Sequence, residues 1–245
     1  MPRVSVVVPT RNSASKLEQL LLSVRRQSEP VELVVVDNHS TDETKSIAAH
    51  EADLVLDAGP ERSSQRNVGV AEATGEFVLL VDSDMVLEPQ TVAECVTAAE
   101  DADAVAVVVP ESTVGEGALA HIRALERSCY EGDETIEAAR CFRRDAFLEY
   151  GGYDEELWAG EDWDLPQRMR EEGEKITRAE EARLLHDEDG VSLVEHLRKK
   201  FYYGRSMGRY LRKHPAVGAK QASPIRPAFL RHWRRLAAHP CSARE

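Results

Sequence analysis

No run of roughly 18 apolar residues occurs in the 245-residue chain, so no membrane-spanning helix is expected in it. Cysteine is sparse. Cys95, Cys129, Cys141 and Cys241 stand far apart without a CxxC pair, which argues against a zinc site or a disulfide framework and for reduced thiols in a cytosolic setting. Glycine-rich phosphate loops are missing too. No GxGxxG follows the first strand-like segment, which counts against a dinucleotide-binding Rossmann domain. No GxxxxGK followed by Ser or Thr occurs, which counts against a P-loop NTPase. Met1-Pro2-Arg3-Val4 runs straight into strand-like sequence, with no charged segment, apolar stretch and small-residue cleavage site, so no secretory signal is expected.

Lysine is scarce, with seven in all, while Asp and Glu number 44 and the net charge is −13. That charge is unevenly spread. Residues 1–197 hold 18 basic and 43 acidic residues, a net of −25. From Arg198 to Arg244 there are thirteen Lys or Arg and no Asp or Glu. The acidic body suggests adaptation to high salt, where surface carboxylates keep a chain soluble. The basic tail suggests an anionic partner, first a membrane surface reached from the cytoplasmic side, the alternative being a solvated helix. Nucleic acid is not expected as a partner, because the acidic body would repel a polyanion.

The first half alternates strand and helix signals, as βαβ units do. Apolar runs at Val4–Val8, Val31–Val36, Asp53–Leu56, Phe77–Val81 and Ala104–Val109 predict parallel strands buried on both faces. Leu17, Leu20, Leu21 and Val24 have helical spacing. Helices are also expected after Ser40-Thr41-Asp42, from Ser63 or Ser64 through Ala73, and over Pro89–Glu100. Later signals are looser: a helix over Gly117–Cys129, strands at Ala139–Phe142 and Ala182–Leu185, and a helix over Glu161–Glu172. Leu193–Leu211 reads as a helix interrupted by Gly204 and Gly208, and an irregular linker is expected beyond Pro215. Phe229–Leu236, with Arg231, Arg234, Arg235 and Trp233, reads as a short basic amphipathic piece suited to a membrane interface.

Ligands of open α/β sheets bind beyond the carboxyl ends of the strands. Pro9-Thr10-Arg11-Asn12, Asp37-Asn38 and Asp82-Ser83-Asp84 all fall there. The paired carboxylates Asp82 and Asp84 suit a hard cation such as Mg²⁺ or Mn²⁺, which takes oxygen ligands and keeps water and substrate phosphates as the rest. Read alone, an Asp after a strand is equally a turn or helix-cap residue.

Taken in order, these pieces resemble family 2 of the inverting glycosyltransferases, which have the GT-A fold. Val4-Ser5-Val6-Val7-Val8-Pro9-Thr10-Arg11-Asn12 is similar to the family's first strand, and Glu32–Asn38 with Ser40-Thr41-Asp42 to its second signature. Arg66-Asn67-x-Gly69, the D-x-D of Asp82-Ser83-Asp84, and Gly151-Gly152-Tyr153-Asp154 follow. Glu161-Asp162 with Leu165, Arg168 and Gly173, then His186, complete the match over about residues 3–205. His39 departs from it, since many relatives have Gly there.

The resemblance implies a nucleotide-sugar donor and a metal-assisted transfer to a glycan or polyisoprenyl-phosphate-linked acceptor. It puts Pro9, Thr10, Arg11 and Asp37 around the base of UDP or GDP, and Arg66 near the base or phosphates. Asp82 would contact the ribose, and Glu161 would belong to the substrate site. Asp84 and His186 would hold the metal, and Asp162 would be the general base. Trp158 and Trp163 would stack on a sugar or simply pack. Arg198-Lys199-Lys200 and Arg205 would meet a diphosphate or a lipid phosphate. The implied architecture is α/β of the GT-A type, a mostly parallel sheet with helices on both faces. Residues 1–192 would form the catalytic domain and 193–245 a basic helical tail. A non-catalytic nucleotide-sugar-binding protein is the alternative. A sugar nucleotidyltransferase would want a glycine-rich loop where Pro9-Thr10-Arg11-Asn12 stands.

Overall fold

The protein is described here by a computed structural model covering residues 2–133, 136–189 and 192–221. The strong apolar runs form the centre of the main sheet. β1 (Val4–Thr10) lies between β2 (Val31–Asp37) and β4 (Phe77–Leu80), parallel to both, and all seven of its residues are buried. β3 (Leu54–Asp57) extends the sheet parallel to β2. Beyond β4 come β8 (Ala139–Arg143), antiparallel to its neighbours, then β6 (Ala106–Val108) and β9 (Ile176–Arg178), giving the order β3-β2-β1-β4-β8-β6-β9.

Alternate residues of the central strands feed two cores, because successive side chains point to opposite faces. Val6, Val8, Leu33 and Leu79 pack with Leu17, Leu20 and Leu21 of α1 (Ala14–Arg25) and with Val92, Cys95 and Ala99 of α4 (Thr91–Ala102). Val7, Val34, Val36 and Leu80 pack on the other face. Their partners are Val70 of α3 (Arg62–Glu72), Phe147 of α6 (Arg144–Glu149), and Leu165 and Met169 of α7 (Glu161–Glu171). Two-sided cover explains why these strands read as continuous apolar runs. α2 (Thr44–Glu51) connects β2 to β3.

Three short strands escape the sequence pattern: β5 (Met85–Leu87), β7 (Glu111–Val114) and β9. β5 and β7 flank β10 (Leu184–Asp187) in a second sheet of order β5-β10-β7. α5 (Ala118–Ser128) packs on β7.

Two expectations for the tail need correction. α8 (Leu193–Lys213) runs unbroken past Gly204 and Gly208. The segment after Pro215 is helical, α9 (Pro215–Gln221), rather than a linker. The end of α8 is docked: Tyr210 is fully buried against Trp163, and Lys213 and His214 both reach the buried Asp164 of α7 at 2.8 Å. That packing offsets the helical cost of the two glycines. Phe229–Leu236 lies outside the described residues.

Candidate active site

The chain order 3-2-1-4 reverses between β1 and β4, so the crevice beyond their carboxyl ends is the switch point at which such sheets bind ligands. Registers Thr10↔Asp37 and Val7↔Leu80 bring Pro9–Asn12, Asp37 and, two residues beyond β4, Asp82 to one edge. The two loops on the β1–β2 side are knitted by neutral groups. Asn12 N–H donates to Ser40 Oγ at 2.8 Å, and Thr41 N–H donates to Asn12 Oδ1 at 2.9 Å. Asp37, fully buried, accepts from the N–H of Ser40 at 2.9 Å and from its hydroxyl at 2.5 Å. Gln65 of α3 donates to the carbonyls of Thr10 and Val36 at 3.0 and 2.6 Å, clamping the two strand ends together. Pro9 and Thr10 are buried and Arg11 is exposed; the Thr10 hydroxyl has no partner. His39 has φ +49°, in the left-handed region that Gly enters freely and His only occasionally.

The motifs around Gly69 and Gly152 turn out to be joined. Asn67 donates to the carbonyl of Tyr153 and accepts from its N–H, both at 2.9 Å. A Cβ on Gly69 would sit 2.4 Å from Val7, so α3 can approach β1 only with glycine there. Gly151 and Gly152 have φ +74° and +67°, which shape the turn that Asn67 holds.

On the β4 side the site is built from charges. Arg66, 1 % exposed, pairs with Asp82 and with Glu161 Oε1 at 3.1 Å. Arg62, one turn earlier, lies 3.5 Å from Glu161 and 3.9 Å from Asp82. Arg140 of β8 donates to Asp82 at 3.3 Å and to Glu111 at 2.8 Å. Such buried charges persist only when matched, since an unpaired one costs several kcal/mol. Burial by itself would raise the Asp82 carboxyl; Arg66, Arg140 and Arg62 outweigh it and hold it well below the usual range. Glu161 goes the other way, raised by burial and then by the charge of Asp162.

The second sheet supplies His186. β10 pairs antiparallel with β5, which starts right after Asp84, so His186 lies opposite Met85 and the Asp187 N–H donates to the Asp84 carbonyl at 2.9 Å. His186 Nδ1 is 3.9 Å from Asp84 Oδ1, and its Nε2 is 2.9 Å from Glu111 Oε2. No group of three or more His, Cys, Asp or Glu that could hold a cation occurs among the described residues. Asp84 and His186 nevertheless fit a Mg²⁺ or Mn²⁺ in their chemistry. One or two protein ligands are usual for such ions at a phosphate site, with water and substrate filling the other positions.

Asp162 opens α7 after Gly160 and is half-buried. It makes no hydrogen bond or ion pair with the described residues, and it lines a 460 Å³ cavity together with Glu111, Arg127, Tyr130, Arg140 and Trp163. Glu111 and Arg140 therefore connect this cavity to His186 and Asp82. Glu161, its sequence neighbour, faces the arginines instead. A larger cavity of 810 Å³ lies at the opposite edge, around Arg3, Glu32 and Glu100, and no candidate residue lines it. Both tryptophans pack: Trp158 stacks on Tyr202 with centroids 5.7 Å apart, and Trp163 Nε1 donates to the Ile136 carbonyl at 2.8 Å.

Arg62, Gln65, Glu111 and Arg140 were not among the residues the sequence singled out. Arg140 carried a signal, a charge inside the apolar stretch Ala139–Phe142. Glu111 carried none, because β7 exists only through its pairing with β10.

Comparison with known proteins shows the family and the fold. A Mycobacterium tuberculosis pre-mycofactocin glycosyltransferase is 32% identical over 234 residues, covering 86% of this chain and 48% of the relative. The chain thus spans about half the length of that curated relative. Among solved structures, Staphylococcus aureus TarS 1-349 in complex with UDP-GlcNAc superposes with a TM-score of 0.64 at 22% identity, covering 99% of this chain and 76% of that one. The mannosyltransferase PcManGT of Pyrobaculum calidifontis, in complex with GDP-Man and Mn²⁺, gives 0.63 at 20% identity, with 97% and 80% covered. These likenesses show the same α/β fold that the sequence implied. The family description "Glycosyl transferase family 2" matches residues 5–151, and the chain belongs to that family.

Proposed function

We propose that the chain is an inverting, Mg²⁺- or Mn²⁺-assisted glycosyltransferase. It moves a sugar from a UDP- or GDP-sugar to a glycan or polyisoprenyl-phosphate-linked acceptor. The observation that carries this reading is the Asp162 carboxylate, which has no hydrogen bond or ion pair among the described residues and faces a 460 Å³ cavity, while Asp82, Glu111 and Glu161 are each ion-paired with arginine. A free carboxylate beside a cavity is what a general base requires.

Asp162 takes the proton of the acceptor hydroxyl as its oxygen attacks the anomeric carbon opposite the leaving diphosphate. A phosphate acceptor is already ionised, and Asp162 then positions it. Asp37 receives the ring N–H of uracil or guanine; each carboxylate oxygen has lone pairs left after Ser40 is satisfied. Pro9, Thr10 and Arg11 line the base. Arg66 neutralises Asp82 beside the ribose and diphosphate, and shares Glu161 with Arg62. Asp84 and His186 would hold the cation, which would supply positive charge to stabilise a departing diphosphate.

The same reading sets the chain against an anionic membrane surface through α8. Leu193, Val194, Leu197 and Phe201 are 56–74 % exposed on a helix whose sequence holds seven Lys or Arg and one acid. This helix touches the site, with Tyr203 packed 4.9 Å from the Arg62 guanidinium. Among the described residues no helix is long and apolar enough to cross a membrane. The acidic body fits a protein adapted to high salt.

The test is a donor panel of UDP- and GDP-sugars with polyisoprenyl-phosphate and glycan acceptors, read by product formation. Transfer with inversion that needs Mn²⁺ and stops in D84A and D162N is expected. Full activity in D84A would remove the cation, and donor binding without turnover on any acceptor would favour a non-catalytic protein.

A further inference from the structure

Glu111 has no assigned part in the reaction just described, yet it sits between the cavity at Asp162 and the imidazole of His186. We propose that Glu111 is a positioning residue that sets the ring orientation and tautomer of His186, so that Nδ1 presents a bare lone pair on the side of Asp84. This inference rests on the reading of Asp84 and His186 as the cation-holding pair.

The geometry leaves few choices. Glu111 Oε2 is 2.9 Å from Nε2, a hydrogen-bond distance. Two arginines hold the same carboxylate: Arg140 Nε donates to Oε1 at 2.8 Å, and Arg127 pairs with Oε2. An ionised carboxylate only accepts, so the hydrogen between the two groups belongs to Nε2. A ring that binds a cation through Nδ1 carries its one hydrogen on Nε2, and Nδ1 lies on the Asp84 side, 3.9 Å from Oδ1. The opposite tautomer would set an Nε2 lone pair against a carboxylate oxygen. A ring turned by 180° would point carbon at Glu111 and forfeit the bond. One contact therefore fixes the flip and keeps a hydrogen on Nε2.

The backbone explains why the three groups meet. β10 lies between β5 and β7, and Leu184 is paired with Glu111, so His186 projects from the same face two residues along. A histidine that binds a cation through one nitrogen commonly donates from the other to a carboxylate, and loss of that partner weakens binding about ten- to a hundredfold.

The experiment uses the full chain and variants E111A, E111Q, H186A and D84A. Manganese binding is titrated by the loss of the free Mn²⁺ electron paramagnetic resonance signal, with UDP present. Ring ¹⁵N shifts of His186 are measured in the metal-free protein, and urea unfolding checks each variant's fold. The wild type is expected to show the Nε2–H tautomer. E111A is expected to bind Mn²⁺ roughly ten- to a hundredfold more weakly. E111Q, whose amide oxygen can accept the same hydrogen, should stay within about threefold, and serves as the folded variant if E111A fails to fold. An Nδ1–H tautomer in the wild type overturns the proposal alone, as does wild-type affinity in a folded E111A when H186A has lost it. Unchanged affinity in both H186A and D84A overturns the cation-holding pair itself, and the proposal with it.

Discussion

The two sides of the mouth are held by different physics. On the β1–β2 side, Asn12, Ser40, Thr41, Asp37 and Gln65 are satisfied by backbone groups and neutral side chains, mostly within two adjacent loops. On the β4 side, Asp82, Glu111 and Glu161 are matched by Arg62, Arg66, Arg127 and Arg140, and His186 by Glu111, gathered from α3, α5, β7, β8, α7 and β10. A neutral hydrogen bond contributes about 1 kcal/mol net. A buried charge is worth little when paired and costs several times more when its partner is removed. The first side should therefore tolerate single losses, and the second should not.

The largest effect expected is on chemistry. D162N should lower turnover by roughly 10²–10⁴-fold, the usual contribution of a general base, while stability changes by less than about 1 kcal/mol. Product formation and urea unfolding measured together check both halves, and an active D162N would move the base elsewhere in the cavity.

Next comes the charged side. R66A leaves Asp82 and Glu161 short of their main cation and should destabilise by about 3–5 kcal/mol in urea unfolding. A loss under 1 kcal/mol would mean that Arg62 and Arg140 suffice, and the contrast between the two sides would weaken.

Acid should find the same side. Asp82 and Glu111 are both held well below the usual carboxylate range, so they bind protons more readily unfolded than folded. Their stabilising contribution is complete above the unfolded-state values and is lost as pH falls through the native ones, below about pH 4. Glu161, raised in the folded state, opposes this slightly as it takes its proton. Urea midpoints at pH 3 should fall below those at pH 6, and D82N should flatten that slope. A steeper slope in D82N would show that other acids carry it.

The smallest effect belongs to the neutral side. S40A removes the hydroxyl that binds the Asp37 carboxylate and accepts from Asn12, but keeps the backbone N–H, and should cost about 2 kcal/mol. A loss as large as that of R66A would erase the comparison.

The neutral side was legible in the sequence because its information is local. Val4–Val8 and Val31–Val36 announce strands, and Pro9–Asn12 and Asp37 follow them directly. Arg66, Asn67 and Gly69 were visible as a motif, though not that Asn67 holds Tyr153 or that Gly69 clears Val7. The charged side was half legible. Asp82 and Asp84 were read from their place and spacing after a strand, and Asp162 and His186 from the resemblance. Glu111, Arg62 and Arg140, which pair with several of them, were not. That Asp82 meets three arginines was not legible in the sequence either.

Composition and spacing alone established a doubly covered, mostly parallel sheet, because burial on both faces forces continuous apolar strands and helical repeats between them. They also put acids at the strand ends, where backbone geometry opens a crevice. Tertiary structure alone decided which acids would be matched and which left free. Glu161 and Asp162 are neighbours of like chemistry, yet Glu161 ion-pairs with Arg62 and Arg66 of α3 while Asp162 lines the cavity. Pairing between charges depends on distance in space, and short strands such as β7 acquire their place from partners far along the chain.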